Sequence, residues 1–192
     1  DFGVLVEEAV RLYGDRISAG VTGDIREFFL QRMRNILEEA GFTYDQVDAV
    51  VESGSLNFHD TMLRARALRE LSLEGRFGEL VTGVTRAANL SRKSPGVLFR
   101  KELLREPAEE GLHGALDTAE KKVRELLPDQ RYLEVLQVVS GLRPEIDRYL
   151  EEIMVMVDDE ALRNNRLALL DRVVNLVRPV ADLSRIVSRS DS

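Results

Sequence analysis

The chain contains no cysteine and no tryptophan, and its 192 residues include only two histidines. Without cysteine, disulfide bonds and thiolate metal sites are excluded. His59 and His113 have no partner at the spacing of metal ligands, so each is expected to be a surface or helix-cap histidine. Neither a glycine-rich phosphate loop nor a serine nucleophile elbow occurs in the sequence. These absences predict a chain with no catalytic site and no metal site.

Long apolar runs are also missing, because no stretch approaches the roughly 20 apolar residues that a membrane helix needs. The first ten residues, DFGVLVEEAV, are too acidic for a secretory signal peptide. A content of 44% hydrophobic and 32% charged residues is typical of a compact, helix-rich protein. We therefore expect a cytoplasmic protein without membrane contact. Since the chain begins at Asp1 rather than Met, it is interpreted as a fragment of something longer.

Positive charge is in the minority, with 27 basic against 34 acidic residues, and the net charge of −7 argues against a general nucleic-acid binder. Charge is nevertheless uneven along the chain. Residues 85–105, the first basic segment, carry six cations against the single acid Glu102. Residues 163–189, the second basic segment, carry six arginines against two aspartates. Such segments either bind an anion on one face or form ordinary solvated helix faces, and charge alone leaves both interpretations open.

Helical periodicity extends through nearly the whole chain, beginning with an amphipathic helix over residues 2–13, and no alternating strand pattern of useful length occurs. The predicted fold class is therefore all-α, a multi-helix bundle of eight or nine helices. Capping and proline signals predict where the later helices start. These starts are Thr22 or Asp24, the capping box of Thr43 and Gln46, Asn57, Pro107, Pro144 and Asp158.

Glycine and proline also predict where helices end. Gly41 and Gly54 are expected to end the second and third helices, and SRKSPGV at 91–97 is the clearest break in the chain. Pro179 falls inside the apolar stripe of the last helix, where it removes a backbone donor. We expect it to kink or break that helix.

Polar residues that suit RNA recognition occur in two helices. Arg86, Asn89 and Lys93 are spaced by three and four residues, so they are predicted to share one helix face. In the last helix, two arginines flank two asparagines. Arginine binds phosphates through two hydrogen bonds, and asparagine pairs with base edges. The candidate RNA-binding residues are Arg86, Asn89, Arg92, Lys93, Arg163, Asn164 and Arg166.

Structural roles for the same residues remain open at this stage. Arg163 is equally suited to a surface ion pair with Asp159 or Glu160, one turn earlier. Asn164 and Arg166 are equally suited to fastening helix ends together. If the arginines contact RNA, replacing Arg86 or Arg166 by alanine should lower RNA affinity with little change in melting temperature.

Five sequence blocks, taken in order, carry a family resemblance. They are FFLQRMRNILEEAGFTYDQVDAVVESG (28–54), RARALREL (64–71), VTRAANLSRKS (84–94), LLREPAEEGLHGAL (103–116) and IMVMVDDEALRNNRLALL (153–170). Over about residues 24–187 the chain resembles the C-terminal part of the beta subunit of bacterial heterotetrameric glycyl-tRNA synthetases. The tetrapeptide EALR at 160–163 is similar to the motif of the helical anticodon-binding domain of arginyl-tRNA synthetases.

The resemblance implies a helical anticodon-binding domain at 24–192, with residues 1–23 as a linker or the tail helix of an upstream domain. It implies a non-catalytic chain that positions glycine tRNA for aminoacylation by the alpha subunit. The implied partners are glycine tRNA, the alpha subunit and the rest of the beta subunit, in an α2β2 assembly. ATP would be used by the alpha subunit, so no cofactor is expected in this chain. The competing hypothesis is a helical protein-interaction module that serves subunit assembly.

Overall fold

The computed structural model describes residues 2–13, 20–52, 55–75 and 77–187. Within these ranges the chain forms nine α-helices, two short 3-10 turns and no β-strand. The helices are α1 (Phe2–Tyr13), α2 (Val21–Glu39), α3 (Tyr44–Val51), α4 (Phe58–Ser72), α5 (Phe77–Ser91), α6 (Pro107–Leu126), α7 (Tyr132–Ser140), α8 (Arg143–Glu152) and α9 (Glu160–Val177). The 3-10 turns are Lys101–Leu103 and Leu183–Arg185. The all-α prediction is therefore confirmed.

Most helix ends lie where the local sequence signals predict them. The Thr43 backbone N–H donates to Gln46 Oε1 at 3.3 Å, which forms the predicted capping box of α3. Asn57 Oδ1 accepts from the Asp60 N–H at 3.1 Å and caps α4. Gly41 follows the end of α2 with a φ of +83°, a conformation that glycine adopts without steric cost.

Two predicted caps are wrong. Helix α2 begins at Val21 with Gly20 at the cap position, so Thr22 and Asp24 lie inside its first turn and cap nothing. Asp159, rather than Asp158, caps α9, because the backbone stays extended through Asp159 and its carboxylate accepts from the Leu162 N–H at 3.0 Å. The predicted end of α3 at Gly54 lies outside the described residues.

The core is built from the inward faces of α2 to α9. Helices α5 and α9 pack against each other, and Leu80, Val84, Leu169 and Val173 are all 1% exposed or less. Helix α9 ends at Val177, two residues before Pro179, so the predicted break is confirmed. The chain then turns back onto α3, where the Asp182 N–H donates to the Ala49 carbonyl at 2.8 Å.

Helix α1 differs from the others because it contains no buried residue. It contacts α2, and the rings of Phe2 and Phe29 lie 4.3 Å apart between centroids. Residues 14–19, between α1 and α2, lie outside the described ranges, and the division of the chain into 1–23 and 24–192 stays a prediction. None of the helices in the described ranges combines the length and apolarity that a membrane crossing requires.

Candidate nucleic-acid interface

The first basic segment points its charge outward. All six of its cations are exposed, and among the described residues the cationic group of none of them forms an ion pair or a hydrogen bond. We call these residues the outward cations: Arg86, Arg92, Lys93, Arg100, Lys101 and Arg105. Because no carboxylate of the described residues forms an ion pair with them, their charge is available to an anion from solution.

Helix α5 carries part of this set on its exposed side, because its small and apolar residues are buried by packing against the rest of the protein. Ala87 and Ala88 are 0% and 6% exposed, whereas Arg86 and Asn89, on either side of them, are exposed. The helix ends at Ser91, and Lys93 continues its last turn through a 3.0 Å hydrogen bond from its N–H to the Leu90 carbonyl. The predicted set of Arg86, Asn89 and Lys93 thus lies on the solvent side of the helix.

Arg92 faces a different surface, a pocket of about 280 Å³ between α5 and the C-terminal half of α9. The pocket is also lined by Asp171, Asn175, Arg178 and Asp182. Arg178 is exposed and, within the described part of the chain, has no ion-pair partner. Two cations therefore border this pocket against three carboxylates, those of Glu52, Asp171 and Asp182.

The second basic segment is largely turned inward. Arg166 is 6% exposed, and its Nε lies 2.6 Å from Oε1 of Glu109, which is 1% exposed. The Arg166 Nη1 donates to the Met154 carbonyl at 2.9 Å. Arg166 therefore donates its hydrogen bonds to partners in the protein interior. This is the structural role, fastening helix ends together, that remained open from the sequence alone.

The ion pair of Glu109 and Arg166 is the centre of a larger hydrogen-bonded cluster, which we call the Glu109 hub. Its second oxygen, Oε2, accepts from the N–H groups of Arg105 at 2.6 Å and Glu106 at 2.9 Å. The Tyr149 hydroxyl donates to the Arg166 carbonyl at 3.0 Å. Burial first, and then the negative charge of Glu109, raise the pKa of the Tyr149 phenol well above its usual value. The Glu109 hub joins the start of α6, helix α9 and the extended segment after α8.

Two other cations of the second basic segment, Arg172 and Arg185, are also paired. Arg172 donates to Glu120 at 2.8 Å and to Asp117 at 2.7 Å, and the latter bond holds the pKa of Asp117 below its usual value. Arg185 lies 3.1 Å from Glu52. Arg189, which also belongs to the second basic segment, lies outside the described residues. The second segment is therefore mostly structural, unlike the first.

The two remaining candidates in α9 lie near its start. Arg163 Nη1 donates to the carbonyls of Val157 at 2.9 Å and Asp158 at 3.5 Å, so it caps the preceding turn instead of pairing with Asp159 or Glu160. Asn164 is half-buried and, among the described residues, makes no side-chain hydrogen bond. Both side chains keep part of their surface in contact with solvent.

Of the two histidines, His59 lies exposed in the first turn of α4, as predicted. The prediction for His113 is wrong, because it lies within α6 with a side chain only 12% exposed. Its Nδ1 lies 2.8 Å from Arg172 Nη1, and its ring lies 4.9 Å from that of Phe99. Nowhere in the described ranges do three or more His, Asp or Glu side chains converge as metal ligands would.

The loop between α5 and α6 is held against α9 by a residue that the sequence interpretation missed. Asn165 is 3% exposed, and its Oδ1 accepts from the Arg100 N–H at 2.7 Å. One periodic signal points to it, since Asn165 falls between Leu162 and Leu169 at the spacing of the buried stripe of α9. A polar residue on a buried stripe is expected to have a specific partner.

Replacing Asn165 by alanine should lower the free energy of unfolding by about 1–3 kcal/mol, because the Arg100 N–H would lose its acceptor in a part-buried site. Amide hydrogen exchange at Arg100 should accelerate in the variant. The matched control is Asn164→Ala, next to it in sequence, which should change neither quantity. Equal effects of the two variants would contradict the anchoring role of Asn165.

Comparison with known proteins adds an independent observation. Residues 80–183 match the family described as the DALR anticodon binding domain. This range includes most of α5, all of α6 to α9, the Glu109 hub and all six outward cations. More than half of the chain is therefore covered by one family.

Individual relatives extend the similarity to almost the whole chain. Proteins named glycine–tRNA ligase beta subunit match it in Desulforamulus reducens (39% identity over 167 residues, 87% of this chain and 24% of the relative), Clostridioides difficile (35% over 189 residues, 97% and 28%) and Edwardsiella ictaluri (38% over 188 residues, 96% and 27%). The chain spans about a quarter of the length of these curated relatives. The resemblance inferred from the five sequence blocks is confirmed.

Proposed function

Because the chain belongs to the DALR anticodon binding domain family, we propose that it binds glycine tRNA at the anticodon region. The outward cations hold phosphates of the anticodon stem and loop. Asn89 on α5, and Arg163 and Asn164 at the start of α9, supply polar groups for the exposed bases. Phosphate contacts position an RNA, whereas contacts to unpaired bases give specificity.

The observation that carries the proposal is the contrast between the two basic segments. In the second, the buried and half-buried arginines have carboxylates or carbonyls as partners. In the first, six cations remain exposed and unpaired within the described ranges, although the chain has 34 acidic residues against 27 basic ones. Although acidic side chains are in excess, none of them pairs with the cations of the first basic segment in the described structure. This favours the binding of an external anion there.

Within a glycine–tRNA ligase, this binding would position the tRNA for aminoacylation by the alpha subunit, which uses ATP. The chain itself would contribute RNA binding and no catalytic group. Its further partners would be the alpha subunit and the rest of the beta subunit, in an α2β2 assembly. This function belongs to the cytoplasm. Arg166 is assigned a positioning role in this proposal, since it holds the Glu109 carboxylate that accepts from the Arg105 N–H.

The test is a salt titration of glycine tRNA binding by Arg86→Ala. Loss of one phosphate contact should lower affinity about fivefold at low salt and reduce the slope of log K against log salt by about one unit or slightly less. The melting temperature should stay unchanged because Arg86 is exposed and unpaired in the described structure.

The matched control is Arg124→Ala, an exposed arginine in the last turn of α6 and outside the basic segment. Both variants change the net charge equally, so long-range attraction is held constant. If Arg124→Ala reduces the salt slope as much as Arg86→Ala does, the interface is not where we place it.

A second candidate function, subunit assembly, is favoured by the apolar surface of α1 and α2. Phe2, Leu5, Leu12 and Phe28 are 48%, 64%, 73% and 66% exposed. Clusters of exposed large apolar side chains mark protein contacts. This surface involves none of the outward cations, so the two functions are compatible. Assembly through it should be insensitive to salt, whereas RNA binding through phosphates should weaken steeply as salt increases.

A further inference from the structure

Leu98 is 88% exposed, more than any other large apolar side chain in the described part of the chain. It lies in the loop between α5 and α6, where the neighbouring Val97 is 43% exposed. A leucine in this position leaves its side chain almost wholly in water, although burying it elsewhere would be favourable. Such exposure is informative when the side chain is held in place.

The loop around Leu98 is anchored at both ends. Before it, the Ser94 N–H donates to the Ser91 carbonyl at 2.7 Å, and Gly96 has a φ of +73° that sets a turn. After it, Phe99 packs against His113, with its ring 5.3 Å from the Arg172 guanidinium carbon, and the Arg100 N–H is fixed by Asn165. The residue that follows Leu98 is therefore turned inward, which directs Leu98 outward.

Cations border this apolar tip on both sides in the chain. Arg92 and Lys93 precede it, Arg100 and Lys101 follow it, and all four are exposed and unpaired among the described residues. A ligand that matches this surface combines a flat apolar face with adjacent negative charge. An unpaired nucleotide has both, in its base and its phosphates.

We propose that Leu98 packs on the face of an unpaired base of the bound RNA, while the cations beside it hold the adjoining phosphates. This inference rests on the proposed RNA-binding function and adds a base contact to it. The contact is apolar and not a hydrogen bond, so it selects an unstacked base rather than a particular base identity. Asn89, Arg163 and Asn164 remain the candidates for reading base edges.

The experiment compares Leu98→Ser with Leu73→Ser. Leu73 is 83% exposed and lies at the end of α4, outside the first basic segment in the sequence. The probe is the anticodon stem–loop of glycine tRNA, with the fluorescent base 2-aminopurine at one unpaired loop position at a time. We expect Leu98→Ser to lower affinity about tenfold, the equivalent of exposing one leucine side chain. It should also abolish the fluorescence change at one probe position, whereas Leu73→Ser should change neither.

The salt slope separates this inference from the proposed function. Since Leu98→Ser removes no charge, its slope should equal that of the unaltered chain, unlike the slope of Arg86→Ala. Salt-dependent binding by the unaltered chain that Leu98→Ser leaves intact would overturn the base contact and keep the RNA-binding function. No RNA binding by the unaltered chain would overturn both. Binding to anionic lipid vesicles that depends on Leu98, without RNA binding, would assign the tip to a membrane surface and also overturn both.

Discussion

Arg166→Ala is expected to lower the free energy of unfolding by about 3–5 kcal/mol, the usual consequence of removing one partner from a buried ion pair. The substitution leaves the Glu109 carboxylate, 1% exposed, without its 2.6 Å partner. It also removes the donor to the Met154 carbonyl. In a protein of this size the melting temperature should fall by roughly 6–20 °C, measurable by calorimetry. The sequence-based prediction for this variant, made for an arginine that contacts RNA, was little change in melting temperature, and the alternative was a structural role for Arg166.

Two further variants test whether the effect comes from the Glu109 hub. Glu109→Ala should destabilise the protein at least as much as Arg166→Ala, because it also deprives the N–H groups of Arg105 and Glu106 of their acceptor. Arg178→Ala, at the end of the same helix and exposed, should stay within about 0.5 kcal/mol of the unaltered protein. A loss below about 1 kcal/mol for Arg166→Ala would show that the hub is not a main determinant of stability.

A weakened tRNA affinity of Arg166→Ala would not by itself identify an RNA contact. The loop that carries Arg100 and Arg105 is attached at Asn165 and at Glu109, so loss of the hub would release the loop and its cations together. The same loss of affinity is expected for Glu109→Ala, because this variant also releases the loop from the hub although it removes no positive charge. If Arg166 instead contacts RNA directly, Glu109→Ala should leave the affinity nearly unchanged.

Simultaneous replacement of Arg86, Arg92 and Lys93 by alanine is expected to lower the affinity for glycine tRNA about a hundredfold at low salt. Each exposed phosphate contact is worth roughly 1 kcal/mol, and three of them together correspond to two orders of magnitude. The salt slope should fall by about two to three units. The melting temperature should hardly change, because none of the three side chains has a partner to lose within the described structure.

The control for this triple variant carries the same change of charge on another face. Lys121, Lys122 and Arg124 are exposed on α6, and their joint replacement by alanine should leave tRNA affinity within a few-fold of the original. Long-range attraction alone would weaken both triple variants alike. Equal losses in the two would mean that tRNA senses net charge and does not contact the first basic segment.

Sequence patterns identify the helices well because the relevant signals are local. Asn57 caps α4 and Pro179 ends the last helix through contacts within a few residues, so each is readable in one short stretch. The misplaced cap at Asp158 shows the limit of this approach. Two consecutive aspartates offer the same chemistry, and only the backbone path decides between them.

The candidate site was harder to predict from the sequence, because the role of each cation depends on partners that are distant in the chain. Arg86 and Arg166 look alike in sequence, but Arg166 meets Glu109 across 57 residues of chain and becomes buried. No local pattern encodes that pairing. The one indication of this pairing in the sequence is its periodicity. Asn165 and Arg166 occupy the apolar stripe of α9, where a polar side chain needs an interior partner. Arg86 lies off the corresponding stripe of α5, which is why it stays exposed.

The most direct measurement is the affinity of this chain for glycine tRNA beside the same tRNA with its second and third anticodon bases changed, at two salt concentrations. We expect binding to the unaltered tRNA that weakens strongly with salt, and clearly weaker binding to the changed tRNA at both concentrations. Equal binding of the two tRNAs, or no binding to either, would contradict an anticodon-binding role for the chain.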